Sequence, residues 1–73
     1  MPDAAHAFWL AGRLLDGRGR TEDAAWHLES AVEGFTVARD RHTRAQAADD
    51  LVALLRRTGQ DARAEEVLSS LGR

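Results

Sequence analysis

The sequence contains no cysteine, lysine, isoleucine, asparagine or tyrosine. It has one proline, at position 2, and aromatic residues make up only 5% of it. Without cysteine there is no disulfide and no thiolate metal site, although this does not identify a compartment. Without an interior proline, nothing in the chain sterically breaks a helix. Sparse β-branched residues give extended strands little support. No apolar run approaches the ~20 residues of a membrane-spanning helix. The first residues, MPDAAHAF, lack the basic-then-apolar pattern of a secretory leader. A cytoplasmic protein with no membrane partner is the expectation. No charge of one sign dominates either: ten basic residues, all arginine, mix with twelve acidic ones to a formal net charge of −2. A nucleic-acid-binding face needs a basic stripe, so no nucleic-acid partner is expected.

What is present favours helix. Alanine, leucine, arginine and glutamate dominate, and all are strong helix formers. The bias toward alanine, arginine, glycine, aspartate and leucine also matches a GC-rich coding source. Seventy-three residues make a single domain over 1–73, which buries only roughly 60% of its unfolded surface. Four helices are predicted. Asp3 is placed to cap the first, from about Ala4 to Asp16 or Gly17, and the GRGR segment ends it, with Gly19 in a left-handed position. Thr21 is assigned as the cap of a second helix, which runs to about Arg39 with Glu22 and Asp23 facing its positive end. A third helix covers about Thr43 to Arg57. Gly59 stops it, and Asp61 caps a fourth, Ala62 to about Leu71. Arginines near every C-terminal end (Arg18, Arg20, Arg39, Arg41, Arg56, Arg57 and Arg73) are read as helix termination and solvation. On the second helix, Ala24, Leu28, Ala31, Val32, Phe35 and Ala38 share one face, and Ala25 widens it.

The chain also repeats itself. Leu14, Leu15, Gly19, Ala24 and Leu28 recur as Leu54, Leu55, Gly59, Ala64 and Leu68, at a constant offset of 40 residues. Helix, glycine turn and helix recurring at such a period mark a solenoid. The spacing of Phe8, Gly12, Leu15, Gly19, Ala24, Leu28 and Ala31, then Ala48, Leu51, Leu55, Gly59, Ala64, Leu68 and Leu71, resembles the tetratricopeptide repeat family in its longer-period form. The likeness spans about Ala5 to Leu71. Two positions depart from the pattern: Val52 where it prefers a small residue, and Ala48 where it prefers an aromatic one.

The resemblance implies an all-α fold: two helix-turn-helix hairpins, residues about 5–40 and 45–72, giving four antiparallel helices in a short right-handed solenoid. It also implies a protein-binding adaptor with a protein or peptide partner. The family's concave groove, carried over by position, would present His6, Trp9, Arg13 and Asp16, then Gln46, Asp49, Ala53, Arg56 and Arg57. Asp16 and Asp49 interrupt the cationic set with which some relatives clamp a C-terminal carboxylate, so that activity is not expected. Repeats of this longer type commonly occur in bacterial signalling or transcription-regulating proteins. The alternative reading is therefore an excised or stand-alone piece of such a protein, modulating its activity.

The ends of the array carry a further expectation. Solenoid units cover one another, and about three are needed for stability; this chain has two. Ala47 and Leu54 should pack back on the second helix, but their counterparts Ala7 and Leu14 have no preceding helix. Leu10 joins that side, where the second unit has Asp50. Ala7, Leu10 and Leu14 are therefore predicted to face another molecule, in a homodimer, a higher oligomer or a complex with a larger protein. Trp26, opposite the core stripe, and Val37, about three turns on, form a second candidate contact.

Chemistry is not expected. His6, His27 and His42 lack metal-ligand spacing, and His27 reads as a packing residue. Ser30, Ser69 and Ser70 have no base nearby in sequence. Adjacent Asp49 and Asp50 diverge by about 100° on a helix. GRGR is no phosphate-cradling loop. No enzyme activity, cofactor or metal is predicted.

Overall fold

The computed structural model describes residues 4–72. Asp3, assigned above as a cap, lies outside that range, as does Arg73. The described chain is all-α, with four helices and no strand: α1 (Ala4–Gly17), α2 (Thr21–Val37), α3 (Arg41–Arg57) and α4 (Asp61–Ser70). Each helix packs on the next, and α1 also touches α3.

One device closes all three turns. The Gly19 N–H donates to the Asp16 carbonyl and the Arg20 N–H to the Leu15 carbonyl, both at 3.0 Å. In the same pattern, Arg39 donates to Thr36 and Asp40 to Phe35, then Gly59 to Arg56 and Gln60 to Leu55. These are Schellman closures, which satisfy the last carbonyls of a helix. The second residue of each pair also starts the next helix, since the carbonyls of Arg20, Asp40 and Gln60 accept from the N–H groups of Ala24, Arg44 and Ala64. α2, α3 and α4 therefore begin 20 residues apart, at Thr21, Arg41 and Asp61. The closure needs a left-handed residue, and Gly19 (φ +75°), Arg39 (φ +58°) and Gly59 (φ +77°) supply it. Only glycine adopts that conformation without steric cost.

This geometry corrects several expected boundaries. Thr21 and Asp61 are first helical residues, not caps. The closures make Arg20 and Gln60 the cap residues, and neither makes a side-chain capping bond. Asp40 does cap with its side chain: its Oδ1 accepts from the Thr43 N–H at 3.1 Å, so α3 begins at Arg41, two residues earlier than predicted. α2 ends at Val37 because Arg39 has already turned left-handed, which leaves Ala38 exposed instead of on the core stripe. Of the arginines expected at helix ends, Arg56 and Arg57 lie within a last turn, that of α3.

The rest of the α2 stripe is buried as its periodicity requires, except Val32, which is half-buried at the edge of the core. Ala24, Ala25 and Leu28 cluster with Leu51, Val52, Leu54, Leu55 and Ala64, while Ala31 and Phe35 cluster with Ala5 and Ala47. Phe35, Leu28, Leu51, Leu54 and Leu55 are the largest fully buried side chains. Each contributes about 1.5–3 kcal/mol by leaving water. Two glycines let α1 and α2 approach. A Cβ on Gly12 would lie 2.8 Å from Leu28 side-chain carbons, and one on Gly34 would lie 2.8 Å from the Ala5 Cβ. Val52 and Ala48, the departures from the repeat pattern, are both buried. The Cα envelope is a plate of 35 × 29 × 13 Å. A plate this thin covers its core from few directions, and the helix at its edge keeps a bare side.

Candidate functional site

That bare side is on α1. Ala7 is exposed, Leu10 is 60% exposed and Leu14 is 64% exposed. At the same register on α3, Ala47 is 0% exposed and Leu54 is 1% exposed. Ala47 lies in the cluster of Ala31 and Phe35, and Leu54 in that of Ala24, Ala25 and Leu28, so α2 covers on α3 what nothing in the described chain covers on α1.

Leu10 differs from its counterpart in chemistry as well as exposure. Asp50, half-buried on α3, accepts a 2.7 Å hydrogen bond from the Trp9 indole N–H. Seven residues further on, the Arg57 guanidinium donates to Asp16 at 2.6 Å. Both pairs join α1 to α3 at a sequence separation of 41 residues. They form a polar clamp between the two units, and the hydrogen bond to Asp16 holds the Arg57 pKa above its ordinary value. One repeat earlier, the positions of Asp50 and Arg57 are taken by Leu10 and Gly17. The uncovered face thus lacks the clamp that secures the covered one.

The groove residues are largely engaged within the chain. Trp9 is half-buried, bonded to Asp50 and edge-on to Phe35 at 5.9 Å; it braces the two units and is not a free aromatic facing a ligand. The Arg13 guanidinium lies 5.9 Å over the Trp9 ring. The His6 ring meets Phe35 edge-on at 4.9 Å. Asp16 is occupied by Arg57, and Arg56 reaches 3.4 Å to Glu65 on α4. Gln46, Asp49 and Ala53 are exposed on α3.

Trp26 is 56% exposed, and its ring neighbours are Phe8 at 5.6 Å and His27 at 4.9 Å. His27 is half-buried, and its Nδ1 lies 2.7 Å from the Asp23 carbonyl oxygen. Val37 is 79% exposed and lines a shallow depression with Ala4, Ala5, Phe8, Ser30, Glu33 and Gly34. A second depression is lined by Ala4, Ala7, Phe8, Ala11 and His27. Phe8 links the two, so the apolar surface continues from the outer side of α1 over the α1–α2 seam.

The opposite end of the molecule is polar. On α4, Asp61, Ala62, Glu65, Glu66, Ser69 and Ser70 are exposed, while Val67, Leu68 and Leu71 are half-buried. Glu65 stands where the first unit has the buried Ala25, and Arg63 of α4 is tied to Glu29 at 3.0 Å. Another depression, at the α2–α3 turn, is lined by Phe35, Thr36, Arg39, Arg41 and Arg44. Asp40 lies in that turn, with its carboxyl held below the usual carboxylate range chiefly by the Thr43 backbone N–H.

Among the described residues no group of three or more histidine, cysteine, aspartate or glutamate side chains is placed to hold a metal, and no helix is long and apolar enough to cross a membrane. Sequence pattern alone misses the bond from Trp9 to Asp50, because its signal is a pairing one residue out of register with the repeat. No protein-family model, curated protein or solved structure matches the chain.

Proposed function

We propose that the chain is a protein–protein interaction module of the tetratricopeptide type, an adaptor that docks through the uncovered outer face of α1. The observation that carries this reading is the contrast between Leu14 and Leu54: the same residue at the same register is 64% exposed at one and 1% exposed at the other. Burying an exposed leucine yields about 1.5–3 kcal/mol, a large share of the ~5–15 kcal/mol that holds a domain folded. A face carrying two of them gains substantially from a partner. Ala7 and Ala11 leave room for close approach, and Phe8 with Trp26 extends the apolar area, as interface anchors do.

The test uses the whole chain and its Leu10→Glu/Leu14→Glu variant, each immobilised and offered soluble protein from the source cell and the chain itself. Circular dichroism first establishes that the variant is folded. The wild type is expected to retain at least one protein that the variant releases. Equal retention by both, or none by either, overturns the reading.

A further inference from the structure

We infer that the depression at the α2–α3 turn binds a phosphate monoester, held between Arg39, Arg41 and Arg44. The site lies apart from the α1 face and does not depend on the docking role proposed for it.

The three turns share one backbone closure, so their residues can be compared position by position at steps of 20. Where the middle turn has Arg39, the others have Gly19 and Gly59. Where it has Arg41, they have Thr21 and Asp61. Where it has Arg44, they have Ala24 and Ala64, both 0% exposed. All three arginines line one cavity of about 290 Å³, together with Phe35 and Thr36.

Each of them stands where folding alone disfavours an arginine. Arg39 takes φ +58°, a left-handed conformation that strains any residue with a Cβ. Arg41 opens α3, whose first turn holds no acid, whereas α2 has Glu22 and Asp23 there and α4 has Asp61. A cation at the positive end of a helix is repelled. The Arg44 Nε is buried without a hydrogen-bond acceptor, which costs an N–H donor the water it gave up. Among the described residues, none of the three side chains has an ion-pair partner.

Helix termination does not account for them. The carbonyls of Gly34, Phe35 and Thr36 at the end of α2 already accept from the N–H groups of Ala38, Asp40 and Arg39. The one acid in the turn, Asp40, directs its Oδ1 to the Thr43 N–H. Three unanswered positive charges therefore border a single cavity, and an anion placed there relieves all of them at once.

The chemistry favours phosphate. Planar guanidinium groups match phosphate oxygens with paired hydrogen bonds. Three cations against one carboxylate suit a dianion better than a singly charged carboxylate. The cavity lies near the lower end of the roughly 300–1,000 Å³ usual for ligand pockets, which suits a small ester. A free phosphomonoester and a phosphorylated side chain present the same group, and the test separates them.

The whole chain, labelled with ¹⁵N, is titrated with inorganic phosphate against chloride of equal ionic strength, at about pH 7.5, where a phosphate whose second pKa is roughly 6 is a dianion. Saturable shifts should centre on Phe35 to Arg44, with a Kd on the order of 1 mM. Arg41→Gln and Arg39→Gly should each weaken binding by roughly 10-fold, the loss of one charge-assisted contact. Neither variant threatens the fold, because Arg41 is exposed and glycine already occupies the position of Arg39 in both sister turns. Arg18→Gln, in the exposed part of the first turn, should leave binding unchanged. Methyl phosphate and a short phosphoserine peptide form the last arms, and at least one should bind as tightly as inorganic phosphate. Parity between them assigns the site to a free ester, and a 10-fold advantage of the peptide assigns it to a phosphorylated protein. No saturable shift, an equal response to chloride, or an equal loss in Arg18→Gln overturns the site. Failure of both esters to bind overturns the ligand class.

Discussion

Ala7 and Leu14 on α1 are exposed, while Ala47 and Leu54, at the same register on α3, are buried in contact with α2 residues. The difference lies in the neighbourhood and not in the residues. In a repeat chain one surface code is written twice, and its energetic meaning depends on what stands beside it. The comparison also shows where the code was altered: the two positions that clamp α3 to α1, Asp50 and Arg57, read Leu10 and Gly17 in the first unit. The first unit carries an apolar version of that face.

The most direct way to break the comparison is to truncate both leucines. Leu54→Ala should cost about 2–5 kcal/mol, as large-to-small changes in packed cores do. Leu14→Ala, measured in dilute solution by urea denaturation, should stay within about 0.5 kcal/mol of wild type. Equal losses would mean that the two faces are equally covered. The glycines of α1 provide a second pair. Gly12→Ala forces a methyl to within 2.8 Å of Leu28, and it should destabilise by about 1–3 kcal/mol despite the better helix propensity of alanine. Gly17→Ala meets nothing within 4 Å and should be neutral or slightly stabilising.

Removing the clamp sharpens the contrast further. Trp9→Phe keeps an aromatic ring but takes the donor from Asp50, and thermal unfolding should report a loss of about 1–1.5 kcal/mol. Arg39→Gly should act in the opposite direction. It gives the middle turn the left-handed residue its two neighbours already have, and should stabilise by about 0.5–1 kcal/mol. The smallest effect is pH-dependent. The Thr43 N–H holds the Asp40 pKa below its ordinary value. The cap therefore contributes fully above the unfolded carboxylate pKa and is lost as pH falls through the lower folded one. A shallow loss of thermal stability in acid should be present in wild type and reduced in Asp40→Asn, with helicity followed by circular dichroism.

Much of this was readable in advance. The period of Ala24, Leu28, Ala31 and Phe35 dictates the buried face of α2, because a helix turns by a fixed angle per residue. Gly19 and Gly59 mark their turns because few other residues take positive φ cheaply. The middle turn was harder to place, since Arg39 occupies the left-handed position and sequence gives no reason to expect an arginine there. The caps lie one residue earlier than the sequence suggests, because the Schellman closures hand the cap position to Arg20 and Gln60, whose side chains play no part in capping. The site was legible in part. That Ala7, Leu10 and Leu14 stand outside the core follows from helical periodicity together with the repeat offset. That Trp9 and Asp16 are already bound follows from neither, because each partner lies 41 residues away and the pairing depends on how one hairpin leans on the next.

The turns leave no slack. Each is three residues long: one that leaves the helix, a left-handed one, and the cap of the following helix. A single residue inserted at any of them would either undo the closure or rotate the following helix by about 100°; at the α2–α3 turn that takes Ala47 and Leu54 off their bed on α2. Such a molecule tolerates point changes on its surface but not changes of phase. Natural variants should therefore differ in length by whole hairpins, and an engineer wishing to extend it should splice in a complete 40-residue block and never a shorter one.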